Sequence, residues 1–219
     1  MNSPYLNQPI ESIYTDAERS VMERIVDLRL NAKDSPPVTA CFHAALGMSS
    51  QVGTLLGDAK TIVIQGLEAP HHFTKTAAKV GLLYAMAWRK FNLPYDGGYY
   101  FEGSPWGLAP IDQMSAADLA KRKIHEVTQA ANYAGLLLDI ASNAFEERHA
   151  PVGGANLHFA VAKYERHLRN LLSLCGVSVL DALRDLCHML SVDQSSVGLP
   201  LAPSDPPTPI DLPVIDSSK

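Results

Sequence analysis

Acidic and imidazole side chains at helical spacing are the first residues of this chain to consider for chemistry. His158 and Glu165 are seven residues apart, so on a helix they share a face and can converge on one small ligand or ion. Asp139 lies in an apolar run, which makes it the best single candidate for a functional carboxylate. With His71 or His72 nearby, these residues would form the site of a small-molecule or metal-dependent enzyme.

Established metal motifs are missing from the sequence. The chain contains no His-Glu-x-x-His motif and no Cys-x-x-Cys pair. Its cysteines are odd in number and have apolar neighbours, which is typical of reduced core residues: Cys41, Cys175 and Cys187. We therefore predict no bound metal and no cofactor, and His71 and His72 are the residues that a metal would use if one bound.

A polar stripe follows one side of a proline-free stretch between Ser115 and His149. Thr128, Asn132, Asp139 and Asn143 share this stripe with Gly135 in its middle. Ordinary solvent faces carry Lys and Glu, whereas short amides and a carboxylate are typical of a cavity lining or a buried polar seam. The stripe therefore predicts one of these two arrangements.

A long segment at 92–112 is the best candidate for recognition. It holds four glycines, three prolines and a group of aromatic residues, namely Tyr95, Tyr99, Tyr100, Phe101 and Trp106. Loops of this length are uncommon in compact domains and often bind partners, and Tyr and Trp dominate interaction hot spots. The alternative is that these rings cap the core.

Helical periodicity and capping residues predict the elements that must position these side chains. Ser115 with Asp118 and Ser178 with Asp181 are typical of helix starts, and Gly176 of a helix end. Helices are predicted over 15–32, 38–56, 70–91, 115–149, 155–175 and 178–190. The β-branched segment Thr61–Gln65 is predicted as a short strand that acts as a buried connector or pairs with another chain.

The predicted architecture is all-α, an elongated bundle of about six helices with one long central helix. An extended N-terminal arm would cover residues 1–14 and the helical bundle 15–191. Residues 192–219 are rich in proline, which favours an extended tail. The arm and the tail both carry apolar residues that need a surface to cover them.

The composition of the chain limits the classes of partner and the cellular compartment that we expect. A formal net charge of −5 argues against nucleic acid, because phosphate-backbone binding depends on clustered Lys and Arg. No apolar run reaches the ~20 residues of a membrane span, and the first thirty residues do not resemble a secretory signal. We therefore expect a soluble, cytoplasmic protein.

Two functional hypotheses follow from the sequence. The first is a non-enzymatic assembly or adaptor subunit that binds a protein partner or self-associates through its aromatic segment, its N-terminal arm and its tail. The alternative is the enzyme described above, with its site between the long helix and its neighbours. An inhibitor that presents an acidic surface to a basic partner is a third possibility, which the sequence does not separate from the first.

Overall fold

Six α-helices form most of the part of the chain that the computed structural model describes, which is residues 16–29, 36–67, 75–92, 111–147 and 155–199. The helices are α1 (Asp16–Arg29), α2 (Pro37–Gln65), α3 (Lys75–Asn92), α4 (Ala116–Glu146), α5 (Ala155–Leu174) and α6 (Val179–Met189). Two short 3₁₀ turns lie at Ile111–Gln113 and Ser195–Val197. The prediction of an all-α helical bundle is confirmed.

The long central helix begins at the predicted cap. The Ser115 hydroxyl accepts the Asp118 backbone N–H at 3.1 Å and donates to the Asp118 carboxylate at 2.7 Å. Helix α4 then runs for 31 residues, which is about 46 Å at 1.5 Å per residue. Its inner face is lined with small residues, among them Ala130, Ala134 and Ala141, so the neighbouring helices can approach closely.

The predicted strand at Thr61–Gln65 is wrong, because these residues form the last turns of α2. Ile62 is 3% exposed and Ile64 is 72% exposed. A strand would place both side chains on one face, whereas a helix separates them by about 200°. The Thr61 hydroxyl donates to the Gly57 carbonyl at 3.1 Å, a bond within the helix. Burial of Ile62 in the core thus outweighs the β-propensity of the segment.

Helices α2, α3, α4 and α5 form a four-helix bundle in which α2 and α5 each pack against α3 and α4. Residue pairs along the contacts show that neighbouring helices are antiparallel. Between α2 and α3, Gly47 lies near Tyr84 and Gln51 near Gly81. The corresponding pairs are Phe42 with Phe145 and Ser49 with Ala134 between α2 and α4, and Glu126 with Asn170 and Tyr133 with Phe159 between α4 and α5. Helices α3 and α4 are therefore parallel.

The parallel arrangement of α3 and α4 gives a second reason for the long segment between them. The C-terminal end of α3 and the N-terminal end of α4 lie at opposite ends of the bundle, so a tight turn of a few residues could not join these two helices. The aromatic residues predicted to bind a partner fall in this connection, outside the described residues. The length of the connection is therefore not by itself evidence that it binds a partner.

Helices α1 and α6 pack on the bundle through α3. Lys79 on α3 is 7% exposed and forms an ion pair with Asp185 on α6. Between α5 and α6 the chain turns at Gly176, whose φ of 71° is left-handed, and the Val177 N–H donates to the Leu172 carbonyl at 2.9 Å. The Ser178 hydroxyl then accepts the Asp181 N–H at 3.1 Å, as predicted.

The core continues past the last helix. Val192, Val197 and Leu199, in the first part of the segment predicted as a tail, are buried. The predicted N-terminal arm and the proline-rich residues from Pro200 onward lie outside the described residues. None of the described helices combines the length and the apolar character needed to cross a lipid bilayer.

Candidate functional site

The catalytic candidates named from the sequence occupy different environments. Asp139 on α4 is exposed, whereas Glu165 on α5 has no exposed surface. His158 belongs to the first turns of α5, but its side chain is outside the described part of the chain, as are His71 and His72. The described residues therefore do not bring Asp139 and Glu165 to one surface.

The polar stripe of α4 faces outward. Thr128, Asn132, Asp139 and Asn143 are all exposed, and so is Gly135. The predicted buried seam or cavity lining is therefore wrong for these residues. Short polar side chains here form an outer surface of the bundle that carries little charge.

A titratable cluster that the sequence reasoning missed lies between α4 and α5. Glu126 is 1% exposed. Its carboxylate accepts from Arg122 Nε at 2.8 Å, from Asn170 Nδ2 at 3.3 Å, and contacts His167 Nδ1 at 2.7 Å. The spacing of Arg122 and Glu126, four residues apart on one helix, was a visible signal, but the partners on α5 had none.

Two opposing effects act on the pKa of Glu126. Burial raises the pKa, because it removes water from the charged carboxylate. The hydrogen bond and charge of His167, together with the hydrogen bonds from Arg122 and Asn170, lower it by more, so the pKa lies below its ordinary value. Glu126 is therefore a buried carboxylate held in its charged form by three neighbours.

Aromatic rings extend the cluster along the same helix pair. The Tyr133 ring stacks on His167 with centroids 5.8 Å apart and an angle of 10° between the planes. The ring of His125 meets His167 edge-on at 6.3 Å, and Phe159 meets Tyr133 at 6.1 Å. The carboxylate and the rings fix the orientation of the imidazole and leave Nε2 as the nitrogen turned away from Glu126. These contacts hold α4 against α5 and fix the position of the His167 imidazole.

Glu165 and its neighbour Tyr164 lie deep in the core. Tyr164 has no exposed surface, and its hydroxyl donates to the Met48 carbonyl at 3.5 Å. Burial, and secondarily the charge of Glu165, raise the pKa of Tyr164. Among the described residues, no group of three or more His, Cys, Asp and Glu side chains is placed to hold a metal ion.

The solvent side of α2 is unusual for a helix of a globular protein. We define the α2 outer face as six exposed residues separated alternately by four and three positions: Leu46, Ser50, Gly53, Gly57, Lys60 and Ile64. Leu46 is 45% and Ile64 is 72% exposed. Asp58 and Lys60 are the only charged residues in the sequence of this helix. A helix face with so little charge is typical of a protein contact.

The centre of the α2 outer face is open. A Cβ atom added at Gly53 or Gly57 would have no neighbour within 4 Å. Leu56 and Val63, at the side of this face, are 41% and 65% exposed. The two glycines thus make a shallow, unfilled depression between larger apolar side chains.

The adjacent outer surface of α4 continues this character. Gly135 also has open space around it, and Leu136 is 45% exposed. The ring of Phe145, 44% exposed, stacks on Phe42 of α2 with centroids 4.8 Å apart and joins the two helices. Helices α2 and α4 therefore present neighbouring surfaces, both poor in charge.

Comparison with known proteins gives no relative from which a function could be transferred: no family model, curated protein or solved structure matches the chain.

Proposed function

We propose that this protein is a non-enzymatic helical assembly subunit that binds another protein chain. The observation that carries the proposal is the α2 outer face, which exposes large apolar side chains at both ends and has one charged residue, Lys60. Exposed surface of this kind is costly in water and is covered in most stable assemblies.

The arrangement of the described titratable residues supports binding over catalysis. An enzyme site built from Asp139, His158 and Glu165 requires these groups to share a cavity, but Asp139 is exposed on α4 and Glu165 is enclosed in the core. Glu126 and His167 are close together, yet the carboxylate is already occupied by three donors that hold α4 against α5. The enzyme alternative therefore has less support than the assembly subunit.

Site-specific photo-crosslinking in the native source tests this function. A benzophenone amino acid is placed at Leu46 or at Ile64, and the matched control is placed at Met189, which is 47% exposed on α6. We expect the α2 positions to give one protein adduct of defined mass, identified by mass spectrometry, and the α6 position to give none. Equal labelling at all three positions, or no adduct at any of them, would contradict an interaction role for α2.

A further inference from the structure

We propose that the partner of the α2 outer face is a second copy of this chain, which packs its own α2 antiparallel across Gly53 and Gly57. This inference rests on the proposed function and names its partner. The order of residues along the α2 outer face supports this partner, because the face can pair with a second copy of itself that runs in the opposite direction.

The face is self-complementary about its midpoint. When two copies of α2 run antiparallel around the position between Gly53 and Gly57, Leu46 of one copy lies opposite Ile64 of the other. Ser50 then lies opposite Lys60, and Gly53 opposite Gly57. Such a contact is isologous, so both copies use the same patch, as two-fold dimers require.

The antiparallel pairing keeps like charges apart. The chain has a formal net charge of −5, so two copies carry net charge of the same sign. The α2 outer face carries Lys60 and no carboxylate, and the antiparallel arrangement places each Lys60 opposite a serine hydroxyl and not opposite the second lysine. A parallel arrangement would bring the two lysines together, which is unfavourable.

The glycines allow the two backbones to approach closely. Neither has a side chain, and each has open space beyond it in the single chain. The contact would then remove the apolar residues at its two ends from water in each copy, namely Leu46 and Ile64.

The area predicts a modest affinity. From Leu46 to Ile64 the helix is about 27 Å long and about 10 Å wide, so α2 alone would bury roughly 550 Å² over both copies. Inclusion of the adjoining α4 surface with Gly135 and Leu136 raises the total to about 1,100 Å², near the lower limit for a specific interface. We therefore expect a dimer with a dissociation constant on the order of micromolar.

Light scattering across a concentration series tests the dimer. We expect the mass to rise toward twice the monomer value between about 1 and 100 µM, around the micromolar dissociation constant expected above, and the Ile64→Glu variant to remain monomeric over the same range. Met189→Glu, on the surface of α6, is the matched control and should dimerise like the wild type. A monomeric wild type at the highest concentration would overturn the pairing, and so would dimers of Ile64→Glu as tight as those of the wild type.

Disulfide formation tests the antiparallel direction. In a Cys175→Ser background, Leu46→Cys and Ile64→Cys proteins are oxidised separately and as a mixture. We expect covalent dimers from the mixture and not from either protein alone, because like positions would be about 27 Å apart. Covalent dimers in the separate samples, or none in the mixture, would overturn this geometry.

Two outcomes distinguish this inference from the proposed function. If the chain is monomeric but photo-crosslinking from Ile64 yields a defined adduct with a different protein, self-pairing fails and the assembly role stands. If Ile64→Glu lowers the unfolding free energy of a monomer by several kcal/mol, the chain's own residues cover the face. Both the pairing and its functional basis then fail.

Discussion

Two regions of the molecule differ in which groups they bury and which they expose. These regions are the contact between α4 and α5, and the α2 outer face. At the first, a carboxylate that is 1% exposed lies inside the protein. At the second, an isoleucine that is 72% exposed faces solvent. Globular proteins normally bury the isoleucine and expose the carboxylate, so both regions need a specific physical reason.

The reasons differ between the two regions. Glu126 has three donors around it, so its demand for partners is met within the chain. The α2 outer face has apolar surface and open space over its glycines. The buried charge therefore contributes to the fold, and the exposed apolar face is where we propose that a partner binds.

Removal of the Glu126 carboxylate should give the largest effect on stability. Glu126→Ala leaves Arg122, His167 and Asn170 directed at a buried gap, and we expect a loss of about 3–5 kcal/mol in the free energy of unfolding. Glu146→Ala, at an exposed position of the same helix, is the control and should change it by less than about 0.5 kcal/mol. Urea denaturation measures both. Equal effects would mean that the cluster contributes nothing specific.

A pair of isoleucines two residues apart separates the inner side of α2 from its outer side. Ile62→Ala should cost about 2–4 kcal/mol, because the side chain is 3% exposed and its loss leaves a cavity. Ile64→Ala should change monomer stability by less than about 0.5 kcal/mol. Similar losses for the two variants, measured by denaturation at low protein concentration, would favour the strand that the sequence predicted.

That failed strand shows which parts of the fold local sequence determines. The starts of α4 and α6 were predictable, because a serine cap and an aspartate three residues later satisfy backbone groups within one turn. Thr61–Gln65 was not, because its conformation depends on whether Ile62 finds a core to enter. Propensity decides the structure only where packing does not.

The candidate sites show the same limit. Arg122 and Glu126 are four apart on one helix, but His167 and Asn170 reach Glu126 only because α5 returns antiparallel beside α4. The polar stripe around Asp139 predicted a cavity lining or a buried polar seam, because ordinary solvent faces carry Lys and Glu, yet it faces outward. Which side of a helix is covered depends on its neighbours, and sequence periodicity does not identify them.

Two glycines should respond to alanine with opposite signs. At Gly81 on α3, a Cβ would lie 2.7 Å from the hydroxyl of Tyr164 and 2.7 Å from Leu168, both fully buried. Gly81→Ala should therefore cost about 1–3 kcal/mol. Gly57→Ala meets open space and should stabilise the monomer by about 0.5–1 kcal/mol through helix propensity.

The same Gly57→Ala protein also reports on pairing. The added methyl groups would lie between the two backbones, so the variant should be a more stable monomer and a weaker dimer than the wild type. Thermal unfolding below 1 µM, where the expected micromolar dimer dissociates, and light scattering at high concentration measure the two effects. If Gly81→Ala and Gly57→Ala change the stability of the monomer in the same direction, the contrast between packed surroundings at Gly81 and open space at Gly57 is wrong.

Acid should weaken the Glu126 cluster before it affects the α2 outer face. The pKa of Glu126 is lowered from its ordinary value of 4.5 in the folded protein, so the folded state holds its proton less tightly than the unfolded state does. The resulting stability is complete above about pH 4.5 and is lost as the pH falls through the folded pKa, at about 1.4 kcal/mol for each pKa unit of lowering.

Glu126→Gln removes this dependence, so the unfolding free energies of variant and wild type should converge below pH 4.5 when denaturation is followed at successive pH values. The control is Asp181→Asn: hydrogen bonds from Ser178 and Arg184 lower the pKa of Asp181, but its exposure leaves a smaller effect. A constant difference between wild type and Glu126→Gln at every pH would mean that burial, and not charge, accounts for the contribution of this residue.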